Sequence, residues 1–192
     1  MAKLDSEAAK RERNKNIRWI VTVFLSSILI SGTISFVSDE VMAVSTLPVA
    51  FVILLIIILV GIVFDIIGMA VASAEEKPFH SMAARKVPGA QESIRLLRNA
   101  ERVSSICNDV VGDICGVVSG SASATIAAQV LNHSDFSWPQ VVSLLMSALA
   151  AGLTVGGKAI GKSFAVNSST AIVHLVGRIV YTLNRLTGKK KK

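Results

Sequence analysis

Formal charge is scarce in this chain, and the places where it is missing decide its class. Asp, Glu, Lys and Arg make up 17% of 192 residues, against about a quarter in an ordinary soluble domain. Two connections carry no Lys or Arg: residues 38–47, whose charges are Asp39 and Glu40, and residues 132–137, whose charge is Asp135. Cysteine is nearly as rare. Cys107 and Cys115 are the two in the sequence, and they lie in one apolar stretch where a single helix holds them apart. That excludes a disulfide framework and a thiolate zinc site, which needs more Cys or His at close spacing. Both read as free packing residues. No nucleophile–base pair and no hydrolytic metal motif is present, so no enzyme activity is expected.

What the chain has instead is hydrophobic length. Fully 52% of its residues are hydrophobic, the mean hydropathy is +0.59, and four apolar runs cover residues 17–37, 48–74, 103–131 and 138–157. About 20 apolar residues cross a bilayer as a helix, so the expected fold is an all-α integral membrane protein with four transmembrane helices. Four spans in so short a chain leave no room for a separate soluble domain. The first run is too long for the core of a signal peptide and lacks an Ala-x-Ala-like site before Asp39; it reads as a retained helix.

The net charge of +7 is distributed by topology. Lys3, Lys10, Arg11, Arg13, Lys15 and Arg18 precede the first run; Lys77, Arg85, Lys86, Arg95, Arg98 and Arg102 separate the second from the third; Lys158, Lys162, Arg178, Arg185 and Lys189 to Lys192 follow. Connections that alternate between basic and devoid of Lys and Arg follow the positive-inside rule. Both termini and the central segment are therefore expected in the cytoplasm, in a multi-pass protein of the cell membrane. The bilayer is the expected partner, and nucleic acid is not. Trp19 and Trp138 sit where interfacial aromatics anchor spans.

The connecting parts have their own signals. Residues 1–16 form a charged tail, a short helix or loose chain. Pro48 suits the first turn of a helix. Residues 77–102 form a cytoplasmic juxtamembrane segment, in which Ile94, Leu97 and Val103 keep one side apolar and Arg95, Arg98 and Arg102 occupy another. The glycines of GGKAIGKS predict the inner end of the fourth span and a break. That segment lacks the strand context and spacing of a phosphate loop. Residues 169–186 predict an interfacial helix, or one packed across the inner mouth of the bundle, with Ile172, Val176, Ile179 and Leu183 on its apolar side, Arg178 and Arg185 on the other, and His174 there facing headgroups. Residues 187–192 form a polybasic tail.

The third run is the one that asks for a function. It is rich in Gly, Ala and Ser, and Gly112, Gly116 and Gly120 recur at every fourth position, a face for close helix packing that favours a homodimer. Yet it carries Asn108, Asp109 and Asp113. A carboxylate at mid-helix costs about 2.5 to 3.5 kcal/mol on insertion scales, so these demand a reason. At the helical rise, Asp65 lies about 26 Å from Pro48, Asp113 and Asp109 about 27 and 33 Å from Leu131, and Lys158 about 30 Å from Trp138. Three helices thus bring three carboxylates and an ammonium to nearly one level, near the inner leaflet. A shared polar site or charge-compensated cluster is one reading; side chains snorkelling to a wet interface are the other.

A family pattern overlies these residues. Phe64 to Ser73 has the form F-x-x-x-x-x-A-x-x-S; Ala90 and the Leu96–Leu97 pair follow, then Ile106 to Asn108 opening a small-residue span, then a G-x-x-x-G-K-S segment. Together these resemble the transmembrane domain of the CorC and cyclin M family of magnesium transport proteins, over roughly residues 50–186 and most closely from Phe64 to Asn108. The resemblance implies a three-span bundle (here residues 48–186, with 17–37 an extra N-terminal span) and a juxtamembrane belt, forming a homodimer proposed to export magnesium driven by sodium. Regulatory nucleotide-binding (CBS) domains usually follow; here a separate subunit would have to supply them. The family's ion ligands are hydroxyl residues of its first span, an asparagine of its second and the glutamate of a Gly-Glu-x-x-Pro-Lys motif. Asn108 matches the asparagine, and Gly157, Lys162 and Ser163 match the last motif. Lys158 stands where the glutamate belongs and Gly161 where the proline belongs, and the acidic residue three before the alanine of the first motif is Ile67 or Gly68.

Two expectations follow. Either Asn108, Asp109 and Asp113, with Asp65 and Ser73, supply oxygen ligands to transported magnesium, with no other cofactor, or Lys158 replaces the cation in a non-transporting scaffold or partner subunit.

Overall fold

The computed structural model describes residues 2–132 and 138–187, with side chains from residue 17 onward except residue 43; the tail 188–192 and the connection around Asp135 lie outside the described residues. Every described element is helical: α1 (Ala2–Ala43), α2 (Leu47–Ser73), α3 (Lys77–Ala84), α4 (Ala90–Arg98), α5 (Ala100–Ser105), a π-helical turn (Ile106–Gly112), α6 (Asp113–Asn132), α7 (Pro139–Asn167) and α8 (Ser169–Leu186). Among the described residues, four helices are long and apolar enough to cross a membrane: Ile17–Met42, Leu47–Ser73, Ala100–Asn132 and Pro139–Asn167. Helices are what a bilayer allows, because each closes its own backbone hydrogen bonds. Pro48, Pro78 and Pro139 each stand in the first turn of their helix, where a missing N–H costs nothing.

The centre of the fold is a trio in which α2 packs on α6 and α7, and α6 on α7; α1 leans on α6 and scarcely meets α2. Lipid tails are as apolar as leucine, so these helices associate by close packing rather than hydrophobic transfer. On α1 the packing face is built from serine: Ser26, Ser27, Ser31 and Ser35 are half-buried and Ser38 is buried, leading to Met42. At the α1–α2 turn, Met42, Ala50, Leu54, Ile58, Ala122 and Ile126 form one core. At the other end Ala70, Val71, Phe79, Ala165 and Val173 form a second.

Three expectations about boundaries are corrected. The first span does not stop at Val37: α1 runs on to Ala43, and its link to α2 shrinks to residues 44–46. The same helix reaches back through residues 2–16, so no separate tail element precedes it. The fourth span does not break at its glycines, and α7 continues to Asn167. A helical glycine costs about 1 kcal/mol relative to alanine, but here Gly157 and Gly161 each admit a neighbour. A Cβ on Gly157 would collide with Ile62, and one on Gly161 would lie 2.7 Å from Cγ1 of Ile66. The glycines let α7 lie close against α2.

Within the chain the glycine face of the third span is used only at one end. Gly112 is packed, but among the described residues nothing lies within 4 Å of a notional Cβ on Gly116 or Gly120. They line an open groove between α6 and α7 with Ser119, Ser123, Ser147 and Thr154. Close approach comes instead from Gly61 and Gly68 of α2, which meet Cys115 and Asn108.

The juxtamembrane segment folds back as α3 and α4, with a break at Asn99 before α5. Ile94, Leu97 and Val103 do pack inward, while Arg95, Arg98 and Arg102 are exposed. Helix α8 crosses α4 at glycine. A Cβ on Gly177 would strike Ser93 and come within 2.6 Å of the Gly89 carbonyl. The Ser93 hydroxyl is shared between the carbonyls of Gly89, at 3.0 Å, and Val173, at 3.2 Å. Gly89 has φ of +87°, which glycine alone adopts without strain. The expected apolar side of α8 packs only at its start: Ile172 lies against the second core and Val176 is half-buried, whereas Ile179 and Leu183 are exposed. The side that is buried most fully is that of Val173 and Gly177. His174 is half-buried, with Nε2 enclosed and lacking a hydrogen-bond partner, rather than facing outward.

Candidate functional site

The site lies where α2, α6 and α7 converge on the π-helical turn. Asp65 of α2 is 6% exposed. Lys158 of α7 reaches it, with Nζ 3.5 Å from Asp65 Oδ1, and comes within 4.0 Å of Asp113 Oδ1 at the start of α6. The three side chains differ in exposure: Asp65 8%, Lys158 21% and Asp113 74%. A buried ion pair thus has a second carboxylate at its open rim.

Room for the pair is made by a missing side chain. A Cβ on Gly112 would lie 3.3 Å from Lys158 Nζ and 3.5 Å from Asp65 Oδ1. The π turn from Ile106 to Gly112 sets this placement by winding the backbone wider just before Asp113. Such turns are frequent at functional sites. Cys107, Val110 and Gly112 are its buried residues. Both cysteines are free; the Cβ of Cys115 fills the space left by Gly61.

The other expected site residues are placed differently. Asp109 is exposed, is not within 4.0 Å of Lys158, and accepts a hydrogen bond from Ser105 Oγ at 2.9 Å. The depth calculation placed it on the shared level; the turn aims it outward. Asn108 donates from Nδ2 to Ser104 Oγ at 3.3 Å, and its Oδ1 is enclosed without a partner, held against the bare Cα of Gly68. Ser73 is exposed at the end of α2, about 12 Å along the axis from Asp65. Among the described residues, no three His, Cys, Asp or Glu side chains gather as a metal-binding group. Asp65 and Asp113 therefore meet Lys158, while Asp109, Asn108 and Ser73 stand apart from the pair.

Sequence reasoning overlooked the supports. Gly112 belongs to a helix-packing pattern, and Gly68, three residues after Asp65 and so on its helix face, carries no local signal that marks it as a cradle for Asn108. One contact ties the region of the belt to α1, and a second closes the belt on itself. The guanidinium of Arg102 stands 5.4 Å from the ring centroid of Trp19. Glu76 Oε1 accepts a hydrogen bond from Arg98 Nε at 3.0 Å and lies 3.3 Å from His80 Nε2.

With two carboxylates and one ammonium, the cluster carries one net negative charge when all three are ionised. Its attraction for a cation is magnified by the low dielectric around Asp65. No family model, curated protein or solved structure matches this chain.

Proposed function

We propose that this chain is a membrane protein of the magnesium-transport type that binds and moves a cation at the Asp65–Asp113 site. The supporting observation is that carboxylates from two spans converge on one cation, the ammonium of Lys158, at 3.5 and 4.0 Å. Magnesium keeps several of its waters and is commonly held by one or two carboxylates, so two suffice without a full cage of protein ligands. The unpartnered Oδ1 of Asn108 is a further oxygen nearby in sequence, at the family's asparagine position.

In this reading the protein is a multi-pass protein of the cell membrane. The positive-inside pattern supports cytoplasmic placement of both termini, of α3 and α4, and of α8 at the interface. The site then lies toward the inner leaflet. The likeness to the CorC and cyclin M family supports a homodimer and a separate regulatory subunit as partners.

A second reading is favoured by the ion pair itself: Lys158 is the permanent occupant, and the bundle serves as a scaffold or partner subunit without transport. Melting of the detergent-purified protein separates the two. Transport predicts that magnesium raises the melting temperature and that Asp113→Ala abolishes the rise. The scaffold predicts no response to magnesium in either protein.

A further inference from the structure

We propose that the Lys158 ammonium and a divalent cation are mutually exclusive occupants of the Asp65–Asp113 site, making Lys158 a tethered, self-inhibiting counter-ion. This rests on the reading of that site as a cation site.

Charge sets the competition. Asp65 and Asp113 together offer two negative charges, which one divalent ion balances. With the ammonium also present, three positive charges would face two negative ones across a few ångströms. Like charges at that spacing in a low-dielectric surround repel strongly. The space is also single. A Cβ added at Gly112 would already lie 3.3 Å from Nζ, so the ammonium fills the gap that the glycine leaves.

The seat is nevertheless a loose one. Both Nζ–Oδ1 separations, 3.5 and 4.0 Å, exceed the roughly 2.7 to 2.9 Å of a tight charge-assisted hydrogen bond. Among the described residues, no hydrogen bond to a backbone carbonyl or hydroxyl holds the ammonium in place. It also has an exit, since the Lys158 side chain is 21% exposed and Asp113 at the rim is 74% exposed. A lysine on a flexible four-carbon stem can swing its head out while the stem stays packed. Occupancy of the site is therefore a contest between a displaceable internal cation and an external one.

Titration of magnesium into the full-length protein in uncharged detergent, read by thermal melting, tests this. Lys158→Met should lower the half-saturating magnesium concentration at least about tenfold, the effect of removing a neighbouring like charge, while Lys158→Arg should not lower it. Equal half-saturation in wild type and Lys158→Met would overturn the competition but leave the cation site standing. No magnesium response in any of the three would overturn both. Should Lys158→Met not fold, amine labelling of the wild type followed by mass spectrometry decides the question. Saturating magnesium should raise modification of Lys158 several-fold relative to exposed Lys162, and an unchanged ratio would overturn the proposal.

Discussion

Lys158 Nζ and Asp65 Oδ1 stand 3.5 Å apart between two helices, with side chains 21% and 8% exposed. Removing one partner of such a pair strands the other. Lys158→Ala should cost on the order of 3 kcal/mol through the uncompensated carboxylate. The double variant Lys158→Ala with Asp65→Asn should recover much of that loss. Thermal melting without divalent ions measures both.

The glycines divide into two kinds, and alanine should tell them apart. Gly177→Ala drives a methyl into Ser93 and toward the Gly89 carbonyl, so it should destabilise by about 1 to 3 kcal/mol, as overpacking does. Gly116→Ala meets nothing within 4 Å; it should be neutral, or stabilising by up to about 1 kcal/mol from helix propensity. Melting temperatures of the two variants under one condition check the contrast.

The contact of Arg102 with Trp19 joins α5 to α1. Cation–π pairs at exposed sites are worth about 0.5 to 1 kcal/mol, so Trp19→Ala should lower stability by that amount. In a Trp138→Phe background, Arg102→Ala should change the fluorescence of Trp19, and an unaltered spectrum would remove the contact from the account.

Orientation is open to direct labelling. Thr46, between α1 and α2, and Arg85, after α3, are both exposed. A membrane-impermeant maleimide added to intact cells should label Thr46→Cys, and should label Arg85→Cys only after permeabilisation. Wild type supplies the background from Cys107 and Cys115. The reverse pattern would invert the topology.

Much of the fold was legible because the bilayer imposes a length rule. The four long apolar helices and the extent of α8 follow from the apolar runs, and Pro48 marks the start of α2. The sequence misled where glycine had two meanings. At Gly157 and Gly161 a breaker composition marks a close crossing with Ile62 and Ile66, a property of the partner helix that no local window contains. On α8, periodicity identified an apolar face, but packing chose the Val173–Gly177 side because Gly89 and Ser93 needed a partner without a side chain. At the candidate site, axial depth brought Asp65, Asp113 and Lys158 to one level, as the structure has them. Depth carries no azimuth, so it could not tell that the π turn directs Asp109 outward toward Ser105, although the same rise already puts Ser73 about 12 Å beyond Asp65.

The most direct test of the central claim is magnesium flux into proteoliposomes containing equal amounts of wild type or Asp113→Ala, a variant whose exposed position at the rim spares the packed core. The account predicts uptake above protein-free vesicles for wild type and a return to that baseline for Asp113→Ala. Wild-type flux at baseline, or flux unchanged by the substitution, would contradict it.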